Sequence, residues 1–444
     1  MINLTFKNEK NGVSKTSQNE IYTLIQLSSN SKTATSIRTP LNIAVALDRS
    51  GSMRGMPLEE AKLCVEMMID RLSSEDHFSL VTYDNDVDVV VPATKASNKE
   101  WLKAHVRSIR SGGMTALYDG WSSAAAEAAK NVTKKSISRV LLLSDGQANE
   151  GLIDQDEIAS HCAQMASVGV STTTYGLSEN FNENLMSAMA KSGKGMAHYG
   201  QTADDLADPF QSEFDLINAL TARDLKLHLI AEPGVEFEVM NKFQRNLDGS
   251  FVMSDLAEGG ELWALLKIKV SKNNLNRATD GELRILSAFL DYKNMQGESC
   301  RTEQSHLTLD LISDADFATL ATEELVSLRK VELEAANLQD AARVAARRHD
   351  WNEVNDLVAQ LDVLGVENEW VKESTKKLRE YADRRETERF SKEAFYKSDR
   401  MRTRMGVRNE SARYIPEAEA MEIPSFLRRK VEFGKKSQTN RRDP

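Results

Sequence analysis

Residues 41–56 read LNIAVALDRSGSMRGM, and the parsing of this stretch decides how the surrounding chain folds. It opens on an unbroken apolar run, Ile43-Ala44-Val45-Ala46-Leu47, the composition of a strand covered on both faces in a parallel sheet. The run stops at Asp48. Open α/β sheets bind ligands in the crevice outside the carboxyl ends of their strands, so this carboxylate stands at a binding edge. Ser50 and Ser52 follow at alternate positions, with Gly51 allowing a tight loop between them. Pro57 then suits the first turn of a helix, and 58–72 is composed of helix-compatible residues. One short loop therefore offers one carboxylate and two neutral oxygens.

Oxygen donors of this kind suit a small hard cation such as Mg²⁺, which prefers octahedral oxygen ligands and retains several waters. Two more stretches supply donors. In SGGMTALYDG, Thr115 follows two glycines and precedes the helix-forming run 117–130; in RVLLLSDGQAN, Asp145 ends a second buried apolar run. With these residues in place the chain resembles the von Willebrand factor A domain family of bacterial type, whose metal-ion-dependent adhesion site is written D-x-S-x-S, then Thr, then Asp. The matching residues here are Asp48, Ser50, Ser52, Thr115 and Asp145. The resemblance covers roughly residues 40–220. It implies a doubly wound, mostly parallel α/β sheet, and a divalent cation with Ser50 and Ser52 as direct ligands. Thr115 and Asp145 would move between direct and water-mediated contact, and an acidic residue of a partner protein would complete the shell.

The chain has 444 residues, 41% hydrophobic and 28% charged, a globular composition too long for one core. No apolar run reaches the ~20 residues that span a bilayer, and the first residues, MINLTFKNEKNG, lack the apolar stretch of a secretory signal. Cys64, Cys162 and Cys300 are few, odd in number and far apart, which argues for reduced thiols in a cytoplasmic setting rather than a disulfide scaffold or zinc site. The net charge of −10 is uneven: from residue 372 onward there are 21 Lys and Arg against 13 Asp and Glu, and before it 36 against 54. Interleaving of Lys and Arg with Glu in that basic end reads as a solvated face and argues against nucleic acid.

Periodicity divides the rest. Residues 1–39 hold one good strand, around Tyr22, too short a segment for its own core. Over 40–221 apolar runs alternate with helical stretches, the pattern of a doubly wound sheet, with a turn at Asp84-Asn85-Asp86 and a closing helix near 206–220. Over 222–313 the period falls to two, with turn signals at Glu232-Pro-Gly, Leu247-Asp-Gly and Glu258-Gly-Gly. This reads as an antiparallel β-sandwich completed by the strand near Tyr22, with the A domain inserted between its strands. Residues 314–390 read as a helical hairpin or bundle packing on the sandwich, and 391–444 as a flexible basic tail.

Within that tail, residues 421–430 read MEIPSFLRRK. The peptide resembles the C-terminal docking motif of the bacterial tubulin homologue FtsZ at Glu422, Ile423, Pro424, Phe426, Leu427, Arg428 and Arg429. The resemblance implies a short partner-binding motif for cell-division proteins, which would order on binding.

The donor set separates binding from catalysis. Hydrolytic metal centres use His and carboxylates to generate a nucleophilic water, whereas this set has no His and no neighbouring general base. A phosphatase using Asp48 as nucleophile would carry a second Asp at position 50, where Ser50 stands. Two carboxylates and three hydroxyls neutralise a divalent ion only in part, leaving it electrophilic toward a partner's Asp or Glu. The sequence is thus read as a non-enzymatic, metal-dependent protein-binding scaffold holding Mg²⁺, with Mn²⁺ or Ca²⁺ as substitutes. An adaptor to the cell-division machinery and a metal-dependent hydrolase are the alternatives.

Overall fold

The computed structural model describes residues 2–29, 39–133, 135–145, 148–177, 181–200, 213–214, 216–366, 368–403 and 406–407. Residues 201–212, where much of the expected closing helix falls, and the 421–430 peptide lie outside them. The chain divides into two compact units, one from residues 35–218 and one from residues 1–34 together with 219–444. Three strands come first, β1 (Ile2–Asn8), β2 (Gly12–Ser14) and β3 (Asn19–Ser29), all belonging to the second of these units.

The unit from the middle of the chain is a six-stranded sheet of β4 (Leu41–Asp48), β5 (His77–Tyr83), β6 (Val87–Lys95), β7 (Ile137–Ser144), β8 (Val170–Leu177) and β9 (Lys194–Gly200). Their spatial order is β6-β5-β4-β7-β8-β9, and every pairing is parallel except β5 with β6. All eight residues of β4 and of β7 are buried, which explains their lack of alternation: helices cover both faces. The helices are α1 (Met56–Arg71), α2 (Lys99–Ser108), α3 (Leu117–Ala129), α4 (Gln155–Ser167) and α5 (Glu183–Ser192). Asn98, Asp154 and Asn182 accept backbone N–H groups in the first turns of α2, α4 and α5, satisfying donors that have no partner inside the helix. The first strand β4 has β5 on one side and β7 on the other, so the chain reverses its winding direction beside β4, the place where such sheets open a crevice.

Helix α3 crosses this sheet closely. Trp121 is buried and its indole Nε1 donates to Thr172 Oγ1 at 3.1 Å. A Cβ added at Gly120 would lie 2.2 Å from the ring of Tyr83, which is itself fully buried. Gly120→Ala is therefore expected to destabilise this unit by about 1–3 kcal/mol through overpacking, despite the better helix propensity of alanine. Urea denaturation of the two proteins measures it, and equal midpoints would show that the helix can lift off Tyr83 freely.

The other unit is built on two sheets. The strands are β10 (Leu220–Ala231), β11 (Val235–Val239), β12 (Phe251–Val252), β13 (Leu256–Ala257), β14 (Gly260–Val270), β15 (Glu282–Asn294), β16 (Ser299–Arg301) and β17 (Ser305–Ile312). One sheet has the order β1-β3-β14-β11 and the other β12-β10-β15-β17-β2, with β13 beside β10 and β16 beside β15. Their pairings are antiparallel apart from β17 with β2. The strand near Tyr22 pairs with β14 along ten residues, from Asn19 opposite Val270 to Ser28 opposite Glu261. Strand β10 alternates in burial, whereas β14 is buried through most of its length. Helix packing accounts for the difference: Trp263 and Leu265 of β14 and Leu24 of β3 cluster with Leu325, Val326 and Leu333. The guanidinium of buried Arg329 lies 4.7 Å from the centre of the Trp263 ring and donates to Glu332 at 2.8 Å.

Those last residues belong to the helix Glu324–Arg347, which is followed by helices Trp351–Gly365, Glu369–Asp383 and Thr387–Thr403. The expected end of helical structure near 390 is corrected by the last of these, which runs thirteen residues into the segment read as a flexible tail. Its residues Phe390, Ala394 and Met401 bury against Ala335, Ala342 and Leu378. Its end is pinned by Arg402, which donates to Asp340 Oδ2 at 2.7 Å and Asn337 Oδ1 at 3.0 Å. A high local charge density hid three well-spaced apolar contacts. Among the described residues no helix is long and apolar enough to cross a membrane.

Candidate metal centre

Asp48 ends β4 and Ser144 ends β7, and the parallel register that sets Leu47 beside Leu143 brings the two next to each other. Ser144 Oγ donates to Asp48 Oδ2 at 2.6 Å, while the other carboxylate oxygen accepts the backbone N–H of Ser50 at 2.8 Å. From Ser50 a chain of hydroxyls continues. Ser50 Oγ and Ser52 Oγ are 3.1 Å apart, and Ser52 Oγ donates to Asp145 Oδ1 at 2.8 Å. Four of the five donors read from the sequence are therefore in one hydrogen-bonded group. Asp48, Ser50 and Asp145 are buried and Ser52 is exposed.

Thr115 is brought to the same edge by its loop. Gly51 N–H donates to the carbonyl of Gly113 at 2.7 Å and Gly112 N–H to that of Arg49 at 2.6 Å, so the stretch leading to Thr115 is zipped to the stretch between Asp48 and Ser52. Thr115 is buried, and its N–H donates to Asn149 Oδ1 at 3.1 Å. Ser144 and Asn149 were not singled out from sequence. The signal for Ser144 was a hydroxyl ending an otherwise apolar strand; for Asn149 there was none.

The electrostatics favour a cation. Burial pushes the carboxyl of Asp48 up to about 6, against the opposing pull of its bonds from Ser144 and Ser50, and burial likewise raises Asp145. Two carboxylates withdrawn from water with no cationic side chain among the described residues bonded to them are costly, and an oxygen-preferring divalent ion would offset that cost. Asp48, Ser50, Ser52 and Asp145 share one hydrogen-bonded group and Thr115 is carried on the loop zipped to it; oxygen donors of these types are the kind Mg²⁺ takes. Among the described residues there is no cluster of three or more His, Cys, Asp or Glu suited to a metal. Elsewhere in the unit, burial pushes the thiols of Cys64 and Cys162 up to about 12, so neither is poised as a nucleophile.

Residues 42–212 match the sequence model of the von Willebrand factor type A domain, and the sheet order and crossovers described above are that domain's fold. Among curated relatives, the uncharacterized protein YfbK of Escherichia coli is 28% identical over 253 residues, covering 55% of this chain and 44% of its own length. Human inter-alpha-trypsin inhibitor heavy chain H3 is 28% identical over 167 residues, covering 36% of this chain and 19% of its own. The chain thus spans less than half the length of these relatives. Among solved structures, a von Willebrand factor type A protein from Catenulispora acidiphila superposes with a TM-score of 0.67 at 16% identity, covering 84% of this chain and 89% of that one. The ArnB paralog VWA2 from Sulfolobus acidocaldarius does so with a TM-score of 0.60 at 15% identity, covering 90% and 98%. Both extend well beyond the A domain, so the fold they share with this chain includes the β-sheets and helices around it.

Proposed function

We propose that this protein is a metal-dependent protein-binding scaffold of the cytoplasm. In this reading Asp48, Ser50, Ser52, Thr115 and Asp145 hold a divalent cation, Mg²⁺ under cellular conditions, and the cation captures an Asp or Glu of a partner protein. Von Willebrand factor A domains commonly mediate metal-dependent protein–protein interaction. The observation that carries the reading for this chain is the buried carboxylate of Asp48, joined through Ser50 and Ser52 to Asp145 across two strand ends. The exposed side chains of Met56 and Met114 lie next to the donor-bearing loops and offer a partner adaptable apolar contact beside the ion. The free, buried thiols of Cys64 and Cys162 are in keeping with a reducing compartment.

Affinity capture from native cells tests the reading. Partner recovery with immobilised protein is expected to fall at least tenfold when Mg²⁺ is replaced by chelator, and to the same level with Asp145→Ala in Mg²⁺. Equal recovery under all three conditions would remove the metal from the function. The adaptor reading of Ile423, Pro424, Phe426, Leu427, Arg428 and Arg429 concerns residues outside those described and rests on their sequence alone.

A further inference from the structure

The turn Asp84-Asn85 between β5 and β6 carries none of the five donors, yet it grips the loop that carries one of them. Buried Asp84 accepts from the backbone of Asp86 at 2.9 Å through Oδ1 and from Gly113 N–H at 3.3 Å through Oδ2, and its own carbonyl accepts Ala116 N–H at 2.9 Å. Asn85 Oδ1 accepts Met114 N–H at 2.8 Å, and its amide donates to Glu150 at 2.8 Å. The N–H groups of Gly113, Met114 and Ala116, on both sides of Thr115, are thus all held by two consecutive residues.

The approach is too close for a side chain at either glycine of the loop. A Cβ at Gly112 would fall 1.6 Å from Asp84 Oδ2, and one at Gly113 would fall 1.7 Å from Asn85 Oδ1. Asp84 also lies 3.3 Å from the guanidinium of Arg49, the residue after Asp48, which reaches Asp88 at 2.7 Å as well. One carboxylate therefore anchors both the Thr115 loop and the loop between Asp48 and Ser50.

We propose that Asp84 and Asn85 are positioning residues that set the metal affinity of the site by fixing Thr115 relative to Asp48, Ser50 and Ser52. The inference rests on the metal-site reading given above. Mg²⁺ demands near-octahedral geometry and Mn²⁺ takes the same oxygen donors, so a loop free to drift must be ordered at each binding event. Outer partners of metal ligands typically contribute 10–100-fold to affinity for this reason.

The test is Mn²⁺ titration by calorimetry, with Mn²⁺ paramagnetic resonance on the same samples, at a temperature where circular dichroism shows every variant folded. Asp84→Ala is expected to weaken Mn²⁺ binding by about 10–100-fold and to alter the resonance of the bound ion as water replaces the displaced hydroxyl. Asp84→Asn, which keeps one acceptor oxygen for the loop, is expected to fall between Asp84→Ala and wild type. A general structural role would lower the melting temperature and leave the affinity of the folded protein unchanged. If Asp84→Ala does not fold, exposed Asn85→Ala serves in its place with an expected loss of about tenfold, the lower end of the same range. Wild-type affinity in the folded variants would overturn the inference and leave the metal site standing; failure of the wild-type protein to bind Mn²⁺ would overturn both.

Discussion

Asp48→Asn is expected to melt at a higher temperature than wild type when both are metal-free at pH 7.5, and to lose the stabilisation that Mg²⁺ confers on wild type. Burial raises the Asp48 carboxyl to about 6, so at pH 7.5 the folded protein holds a charge that the unfolded chain would keep at lower cost. The difference from the usual value amounts to roughly 3 kcal/mol at most, or on the order of 5–10 °C in a unit of this size. Asparagine fills the same space. Its oxygen can accept the Ser50 N–H and its amide can donate to the Ser144 hydroxyl, so both bonds of the native carboxylate have counterparts. What the variant loses is the charge, and with it the anchor of a divalent ion. Saturating Mg²⁺ stabilises a binding-competent fold by RT ln(1 + [L]/Kd), and that increment is expected to vanish. Scanning calorimetry with and without Mg²⁺ decides it. A variant that Mg²⁺ stabilises as much as wild type would place the ion elsewhere.

Glu213→Gln is expected to act in the opposite direction, costing about 3–5 kcal/mol at pH 7. Glu213 is buried beneath the sheet, where it accepts from Arg139 and from Thr173 Oγ1 at 3.0 Å and faces His198 at 3.7 Å. Burial pushes its carboxyl up, but the guanidinium of Arg139, with His198 and Thr173, outweighs burial and holds it down at about 2. Because the folded value lies below the usual one of ~4.5, the stability this group contributes is whole above pH ~4.5 and is lost as pH falls toward 2. The gap between wild type and Glu213→Gln should therefore be widest at neutral pH and narrow steadily between pH 4.5 and 2. Urea titrations at pH 7, 4 and 3 would show it, and a gap that is constant with pH would mean that the countercharge to Arg139 is not what stabilises this corner.

The α/β architecture was legible because its signals are local. Runs such as 43–47 and 140–143 are too short for helices and too apolar for a half-exposed strand, and the Ala-rich stretch 117–130 can only be a helix. The change to period two beyond residue 222 marked the antiparallel sheets in the same way. Strand β14 departs from that period, since helix Glu324–Arg347 covers its second face, and no local rule announces which strand a distant helix will cover. The basic end was misjudged for a related reason. In the helix Thr387–Thr403 the apolar residues are few, and their contacts with Ala335, Ala342 and Leu378 exist only once the preceding three helices are assembled.

The candidate site divides along the same line. Asp48, Ser50 and Ser52 are neighbours in sequence, so their identity as oxygen donors on one loop needed nothing beyond residue order. That Ser52 comes within 2.8 Å of Asp145, 93 residues away, and that Asp84 braces a loop 29 residues beyond it, were decided by the fold. Side-chain chemistry and short-range periodicity are properties of the chain and survive in the string of letters. The meeting of strand ends is set by parallel register and by the reversal of winding beside β4, which are collective properties of the packed sheet.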